Sequence, residues 1–289
     1  MKSFEENEVL DKLDCDAFKF THKLMGHPAL SLENLARVLP SLSSERVSFS
    51  KGLMDVKDDF ESTFKQRHAD RSLEDVIENI RTSNAYIMVN RPEVDSSFAP
   101  LHRQLVEDVE ILMRRRGVGD TAIDPQLFLF IASPNSVTPF HIDRYSTFLM
   151  QFRGSKHVSV FPQWDDRCVS SPHREAYISY SNTKLPFNAE IDALGTSFEF
   201  SPGEALHIPF IAGHHVRNGS DDVSISMSII FNTEQSMAWR RALRFNHSAR
   251  RFLKPLGATP FPVGKQPRRD ATKAQVWDTF TKLRDLRSK

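Results

Sequence analysis

The chain has 289 residues, of which 39% are hydrophobic, 22 are Phe, and the formal net charge is +1. That apolar content is enough to fill a core and excludes a wholly disordered chain. No run approaches the roughly 18 apolar residues of a membrane helix, and the start MKSFEENEVLDKLDCD carries acidic residues where a secretory signal has its apolar stretch, so a soluble, cytoplasmic protein without a membrane span is expected.

The near-neutral total conceals a split. Residues 240 to 289 hold 14 basic and 3 acidic residues, net +11, which leaves −10 on residues 1 to 239. Cys15 and Cys168 lie far apart and outside any CxxC pattern, so neither a disulfide framework nor a thiolate zinc site is predicted. A metal, if present, falls to His and carboxylate.

The first 120 residues read mostly helical. Leu30, Leu32, Leu35, Val38 and Leu39 recur near helical spacing within Leu30 to Leu42, and Ser72 is placed to cap a helix from Leu73 to Arg81 with Asp75 three residues on. Tyr86 to Val89 is a short apolar run with the look of a strand. Leu101 to Arg116 returns to a helical stripe, through Leu101, Leu105, Val109, Leu112 and Met113, and ends on Arg114, Arg115 and Arg116, where the helix dipole favours cations.

From Gln126 the texture changes to β-rich runs separated by Pro, Gly, Asn and Asp: Leu127 to Ala132, Phe140 to Phe152, His157 to Phe161, Thr196 to Phe200, Ala205 to Ile208 and Val223 to Phe231. Such a pattern predicts an all-β sandwich or barrel. The last run alternates without a fault, with Val223, Ile225, Met227 and Ile229 on one face and Ser224, Ser226 and Ser228 on the other, the serine face reading as a solvated or polar-lined surface. After Ser236 the chain turns helical and basic, breaks between Pro255 and Pro267, and ends in a helix striped by Ala274, Trp277, Phe280, Leu283 and Leu286.

The segment Thr138-Pro-Phe-His-Ile-Asp143 carries the chemistry. His141 and Asp143 are two apart, and in a strand residues i and i+2 project to one side. Gly213-His214-His215-Val216 lies beyond it, at the entry to the alternating strand. A sandwich that joins these strands assembles two His and one carboxylate on one face of a metal, the ligand set of non-haem Fe(II) oxygenases. Lys156, in Phe152-Arg-Gly-Ser-Lys-His-Val-Ser-Val-Phe-Pro162, and the run Phe200-Ser-Pro-Gly-Glu-Ala-Leu-His-Ile-Pro209 surround this pattern.

Together these features resemble the JmjC branch of the cupin-like Fe(II)- and 2-oxoglutarate-dependent oxygenases, in particular the asparaginyl hydroxylase acting on hypoxia-inducible factor and its bacterial cupin-like relatives. The resemblance covers roughly residues 84 to 232, about half the chain. It implies a mainly β fold with flanking helices: a double-stranded β-helix (jelly-roll) core over 84–235, a helical N-terminal region over 1–83 and a basic helical C-terminal extension over 236–289.

By that resemblance His141, Asp143 and His214 ligate Fe(II). His214 is preferred to His215 because the family pattern His-x-Val-x-Asn is met by His214, Val216 and Asn218. Lys156 and Thr138 fall where the family holds the distal carboxylate of 2-oxoglutarate, Tyr86 matches a tyrosine whose hydroxyl joins them, and Ser228 stands where the hydroxylase has an asparagine near the co-substrate. Ala212 and Gly213 replace an aromatic pair and alter the substrate pocket. Taken singly, His157, His207 and His215 read as structural.

The activity implied is hydroxylation coupled to decarboxylation of the keto acid by dioxygen, with a protein side chain as first acceptor. A small-molecule metabolite is the alternative acceptor. A non-oxygenase metal cupin, or a regulatory module with a polyanion-binding tail, are the rival classes. Family resemblance also implies a homodimer through the C-terminal helices. The strip Arg240, Arg241, Arg244, Arg250, Arg251, Arg268 and Arg269, interleaved with Trp239, Phe245 and Phe252, fits a nucleic acid or another polyanion; a tail docking on the acidic body explains the same charges.

Overall fold

A computed structural model describes residues 1–50, 54–65 and 73–287. Its centre is two facing antiparallel sheets built from eleven strands among the described residues: β1 Phe18–Thr21, β2 Val47–Ser50, β3 Tyr86–Asn90, β4 Ile123–Ala132, β5 Val137–Ile142, β6 Ser146–Arg153, β7 Lys156–Val160, β8 Thr196–Phe200, β9 Glu204–Ile208, β10 Gly213–Asn218 and β11 Ser224–Asn232. The larger sheet runs β1-β9-β6-β11-β4-β3-β2 and the smaller β5-β10-β7-β8. This is the jelly-roll core expected from the strand spacing.

Three differences from the expected elements have physical reasons. The run from Phe140 to Phe152 is two strands, since the chain turns at Asp143 to Tyr145 and crosses from the smaller sheet to the larger. His214 belongs to a strand of its own, β10, rather than to the entry of β11, and a six-residue segment with two polar histidines gave no alternation to mark it. The N-terminal region holds helices α1 (Leu32–Ser41), α2 (Phe60–Lys65) and α3 (Leu73–Glu78), yet it also supplies β1 and β2, the two edges of the larger sheet. Those strands are four residues each, too short to show a period. Ser72, expected to cap α3, lies outside the described residues.

The serines of β11 do not face solvent. Ser224, Ser226 and Ser228 are buried between the two sheets, and the opposite residues Ile225, Met227 and Ile229 are buried as well. The apolar face packs under α4 (Ala99–Arg116), whose Leu101, Leu105, Val109, Leu112 and Met113 are almost fully enclosed as their spacing predicts. Each such side chain contributes roughly 1.5–3 kcal/mol by leaving water. A second apolar cluster between the sheets, including Leu149, Val158, Phe200, Leu206, Ile208 and Val216, closes one end of the jelly roll and leaves the polar β11 face to line a cavity at the other.

Helices α5 (Ser171–Ile178), α6 (Ala189–Asp192), α7 (Glu234–Leu253) and α8 (Pro267–Arg287) follow the barrel's loops and end. Thr233 and Ser236 form a reciprocal capping box that starts α7 immediately after β11. Ala242 and Leu243 are buried against the Phe210 and Tyr177 side of the core, Trp239 stacks on Phe210 at 5.9 Å, and Arg250 donates to the buried Glu175 at 2.8 and 2.9 Å. The basic extension therefore docks on its own acidic body through α7. No helix among the described residues is long and apolar enough to cross a membrane.

Candidate metal centre and its cavity

Strands β5 and β10 pair antiparallel with His141 directly opposite His214, and the pairing shifts register between His214 and Val216. Directly opposed side chains on one face lie within contact reach, and the two imidazole centroids are 4.1 Å apart. Asp143, just past the end of β5, brings Oδ1 to 3.9 Å from His141 Nε2 and Oδ2 to 3.8 Å from His214 Nε2. One ligand atom from each of the three lies within 4.8 Å of the others, close enough to share one ion, and no other His, Cys, Asp or Glu among the described residues joins them.

The two histidines are prepared as ligands. His141 Nδ1 lies 2.7 Å from the carbonyl of Pro139, and His214 Nδ1 lies 3.1 Å from that of Ala212. A carbonyl only accepts, so each Nδ1 carries the proton and each Nε2 presents a lone pair to the shared point. Burial, and after it the neighbouring His214, hold the His141 imidazole down to about 3, so it is neutral at any ordinary pH. The Thr147 hydroxyl donates to Asp143 Oδ2 at 3.1 Å and orients the carboxylate. His141 and His214 are enclosed, whereas the Asp143 side chain is 27% exposed and marks the open side.

The same cavity, about 200 Å³ in volume, is lined by all seven residues singled out in the sequence: Tyr86, Thr138, His141, Asp143, Lys156, His214 and Ser228. Lys156 rises from β7 opposite Asn218 of β10, is 2% exposed, and donates to Asn218 Oδ1 at 2.6 Å. Asn218 in turn donates to Ser136 Oγ at 2.8 Å. Burial pulls the Lys156 ammonium down to about 7, and among the described residues no carboxylate pairs with it. The Tyr86 hydroxyl sits beside that of Thr138, and burial pushes the Tyr86 phenol up. Ser226 Oγ, fully buried on the same wall, has no hydrogen-bond partner among the described residues. A buried cation beside several hydroxyls is poorly satisfied by itself and well suited to an anion with several acceptor oxygens.

The other histidines take different places. His215 turns away from the cavity to Asp192 Oδ1 at 3.0 Å and packs beside Phe187. His207 is fully buried, accepting from the Asp14 amide at 3.0 Å and bonding the Thr147 carbonyl. His157 is a half-exposed surface residue 3.6 Å from Glu199.

Four cavity residues escaped sequence reasoning. Phe60 stacks on His141, Glu61 pairs with Arg144, Tyr177 donates its ring to the Arg144 guanidinium, and Thr147 holds Asp143. Thr147 was accessible as a hydroxyl four residues past the carboxylate, across a turn. Phe60 and Glu61 were not, since α2 reaches the site only through the fold. The altered pair Ala212-Gly213 also has a local cause: a Cβ on Gly213 would lie 2.8 Å from the Phe140 ring, which fills that space.

The chain belongs to the cupin-like domain family, whose pattern matches residues 33–237. Among individual proteins it is 26% identical over 153 residues to the JmjC domain-containing protein F of Dictyostelium discoideum, a match covering 45% of this chain and 31% of that protein. Its fold is similar to that of Escherichia coli YcfD: one structure of that protein aligns with TM-score 0.50 and 15% identity over 92% of this chain and 63% of YcfD. A second, described as the ribosomal oxygenase YcfD in complex with cobalt and 2-oxoglutarate, aligns with TM-score 0.50 and 15% identity over 96% of this chain and 68% of YcfD. The chain thus spans less than a third of the matched Dictyostelium protein and about two thirds of YcfD.

Proposed function

We propose that the protein is an Fe(II)- and 2-oxoglutarate-dependent oxygenase that hydroxylates a C–H bond of a second substrate. The observation that carries this reading is one cavity holding both a two-histidine, one-carboxylate cluster and a buried lysine without a carboxylate partner. Membership of the cupin-like family and the likeness to an oxygenase fold support it. Iron held by His141, Asp143 and His214 would supply the redox chemistry, so that 2-oxoglutarate, dioxygen and R–H become succinate, carbon dioxide and R–OH.

The chain's own groups supply the rest. The carbonyl-anchored imidazoles present their Nε2 lone pairs, and Thr147 fixes the carboxylate between them. Lys156, with the hydroxyls of Thr138 and Tyr86, would take the distal carboxylate of the keto acid in a charge-assisted contact. Ser226 and Ser228 extend the polar wall. Asp143→Ala should end succinate production from 2-oxoglutarate in anaerobically purified, iron-reconstituted protein; succinate at the wild-type rate from that variant would remove Asp143 from the site. Stoichiometric succinate release also separates this reading from a metal cupin without oxygenase activity.

Assembly is a second proposal. Along α7 and α8, Phe252, Phe280, Leu283 and Leu286 are 78, 54, 55 and 71% exposed, and an apolar groove runs between the helices beside Trp277 and Phe261. This surface supports a homodimer through the C-terminal helices.

A further inference from the structure

The positive charges of α7 are not spent alike. Arg250 is paired with Glu175 and Arg241 with Asp278, but among the described residues neither Arg240 nor Arg244 forms an ion pair with a carboxylate. Arg240 lies over Tyr145, 5.5 Å from the ring centroid, and donates to two neutral acceptors, Asn232 Oδ1 at 3.2 Å and Met237 Sδ at 3.9 Å. Arg244 stands four residues on, on the same side of the helix and half-buried. Like charges at that spacing repel, and half-burial deprives them of water. Burial, with Arg240 and Arg144 beside it, pulls the Arg244 guanidinium below its ordinary range, which places the three cations in one field.

That field borders the mouth of the cavity. Tyr145, under Arg240, lines it, as does Arg144, whose guanidinium is held between the rings of Tyr177 at 4.1 Å and Tyr180 at 4.0 Å and paired with Glu61. Arg144 is thus neutralised by its partner, while among the described residues Arg240 and Arg244 have no carboxylate partner. The cavity is only about 200 Å³, so a second substrate that brings its reacting end to the triad has to leave its remainder across this rim.

Resting on the oxygenase reading above, we propose that the prime substrate bears a carboxylate that Arg240 and Arg244 bind at the rim while its reacting carbon enters the cavity. Guanidinium pairs suit this role because their fixed fork matches a carboxylate's two oxygens. The carboxylate belongs either to an acidic side chain of a peptide or to a free dicarboxylate of small size, and the two differ in what lies beyond the rim.

The test uses the full chain with Mn(II) and saturating 2-oxoglutarate under anaerobic conditions, where binding is read without turnover. Calorimetric titration compares an octapeptide with one central Asp against its Asn counterpart, and adipate against adipamide. For at least one pair the acid should bind about tenfold or more tightly, since a hydrogen bond to a charged group is worth that much. Arg240→Gln/Arg244→Gln should erase the preference without weakening the amide, a ratio that general unfolding would not move. Arg240→Lys/Arg244→Lys should restore part of it. A peptide preference and an adipate preference assign the source. Equal affinity of acid and amide, no binding of either acid, or a preference that survives the double substitution overturns the proposal. Tight, arginine-dependent binding of a single-stranded oligonucleotide with none of the acids would overturn it in favour of a polyanion. The oxygenase reading fails separately, by the absence of succinate from the wild-type protein.

Discussion

The ring of Phe60 lies flat on that of His141, with centroids 4.1 Å apart and planes 17° from parallel. Phe60 opens α2, which is fastened to the barrel by Glu61 on Arg144 and by the Val56 carbonyl accepting from the Phe140 amide at 2.8 Å. The stacked ring fixes the plane of the His141 imidazole and covers its outer face. Phe60→Ala should therefore weaken metal retention. Aromatic contacts of this kind are worth about 0.5–1.5 kcal/mol, so chelator competition should read a loss of about two- to tenfold in affinity. An unchanged dissociation constant would make Phe60 a packing residue only.

Thr147→Val tests the carboxylate's support. The substitution keeps the volume and removes the donor to Asp143 Oδ2. Partners that orient a metal ligand are worth about 10- to 100-fold in affinity when removed. Metal titration of the variant should show a loss in that range with an unaltered circular dichroism spectrum. Retention of full affinity would mean that the strand end alone orients Asp143.

The strands of the core and the triad were legible because period-2 alternation and the i, i+2 spacing are local signals. His141 and Asp143 needed only the end of one strand; His214 needed the pairing of β10 with β5, which resemblance supplied and periodicity did not. The β11 serine face, readable as either solvated or polar-lined, proves to be the polar lining of the cavity through Ser226 and Ser228, a choice with the same origin. Alternation separates two faces but is silent on what covers each, and here the apolar face meets α4 while the polar face meets the second sheet. Phe60 and Glu61 were hidden for a stronger reason, since each reaches the site through tertiary contacts from a segment with no motif of its own.

Gly213 answers to packing. A methyl group there meets the Phe140 ring at 2.8 Å, and that ring is pinned edge-on to Phe161 with centroids 5.2 Å apart. Gly213→Ala should lower unfolding stability by about 1–3 kcal/mol, the usual cost of overpacking. Adding Phe140→Leu should recover part of that loss, because the clash and the ring depart together, although Phe140→Leu alone destabilises. Denaturant midpoints of the two single variants and the double variant measure the coupling; strictly additive effects would show that the ring is not what excludes a side chain at 213.

Under the proposed function, Lys156 should make co-substrate binding pH-dependent. Its folded value of about 7 lies below the ordinary 10.5, and burial is the cause. Between those values the unfolded chain binds more protons than the folded one, so the stability of the ligand-free protein rises with pH across that window. Below it both states are protonated, and the cost of the buried ammonium is carried in full. A carboxylate against the lysine raises its pKa again, so binding of 2-oxoglutarate above pH about 7 takes up close to one proton and weakens by up to about tenfold per pH unit. Calorimetry of the metal-loaded protein in buffers of different ionisation enthalpy should show that uptake at pH 8 and its loss in Lys156→Met. Binding of constant strength from pH 7 to 9 would separate Lys156 from the co-substrate.

The exposed stripe of α8 decides between folding and assembly. Ala274 is buried and anchors the helix, while Phe280, Leu283 and Leu286 continue the same stripe into solvent beside Phe252 and Leu256 of the α7 end. A contiguous apolar surface of this kind is uncommon on a monomer, and α8 rests on α7 with its N-terminal half, where Asp270 accepts from the Gly264 amide at 2.9 Å. Charging the outer half should thus spare the fold and disrupt the pairing. Leu283→Glu/Leu286→Glu should shift the species seen by light scattering from dimer to monomer at micromolar concentration, with little change in the thermal midpoint of the monomer. A wild-type protein that is monomeric at 100 μM, or a double variant that stays dimeric, would leave the stripe without that role.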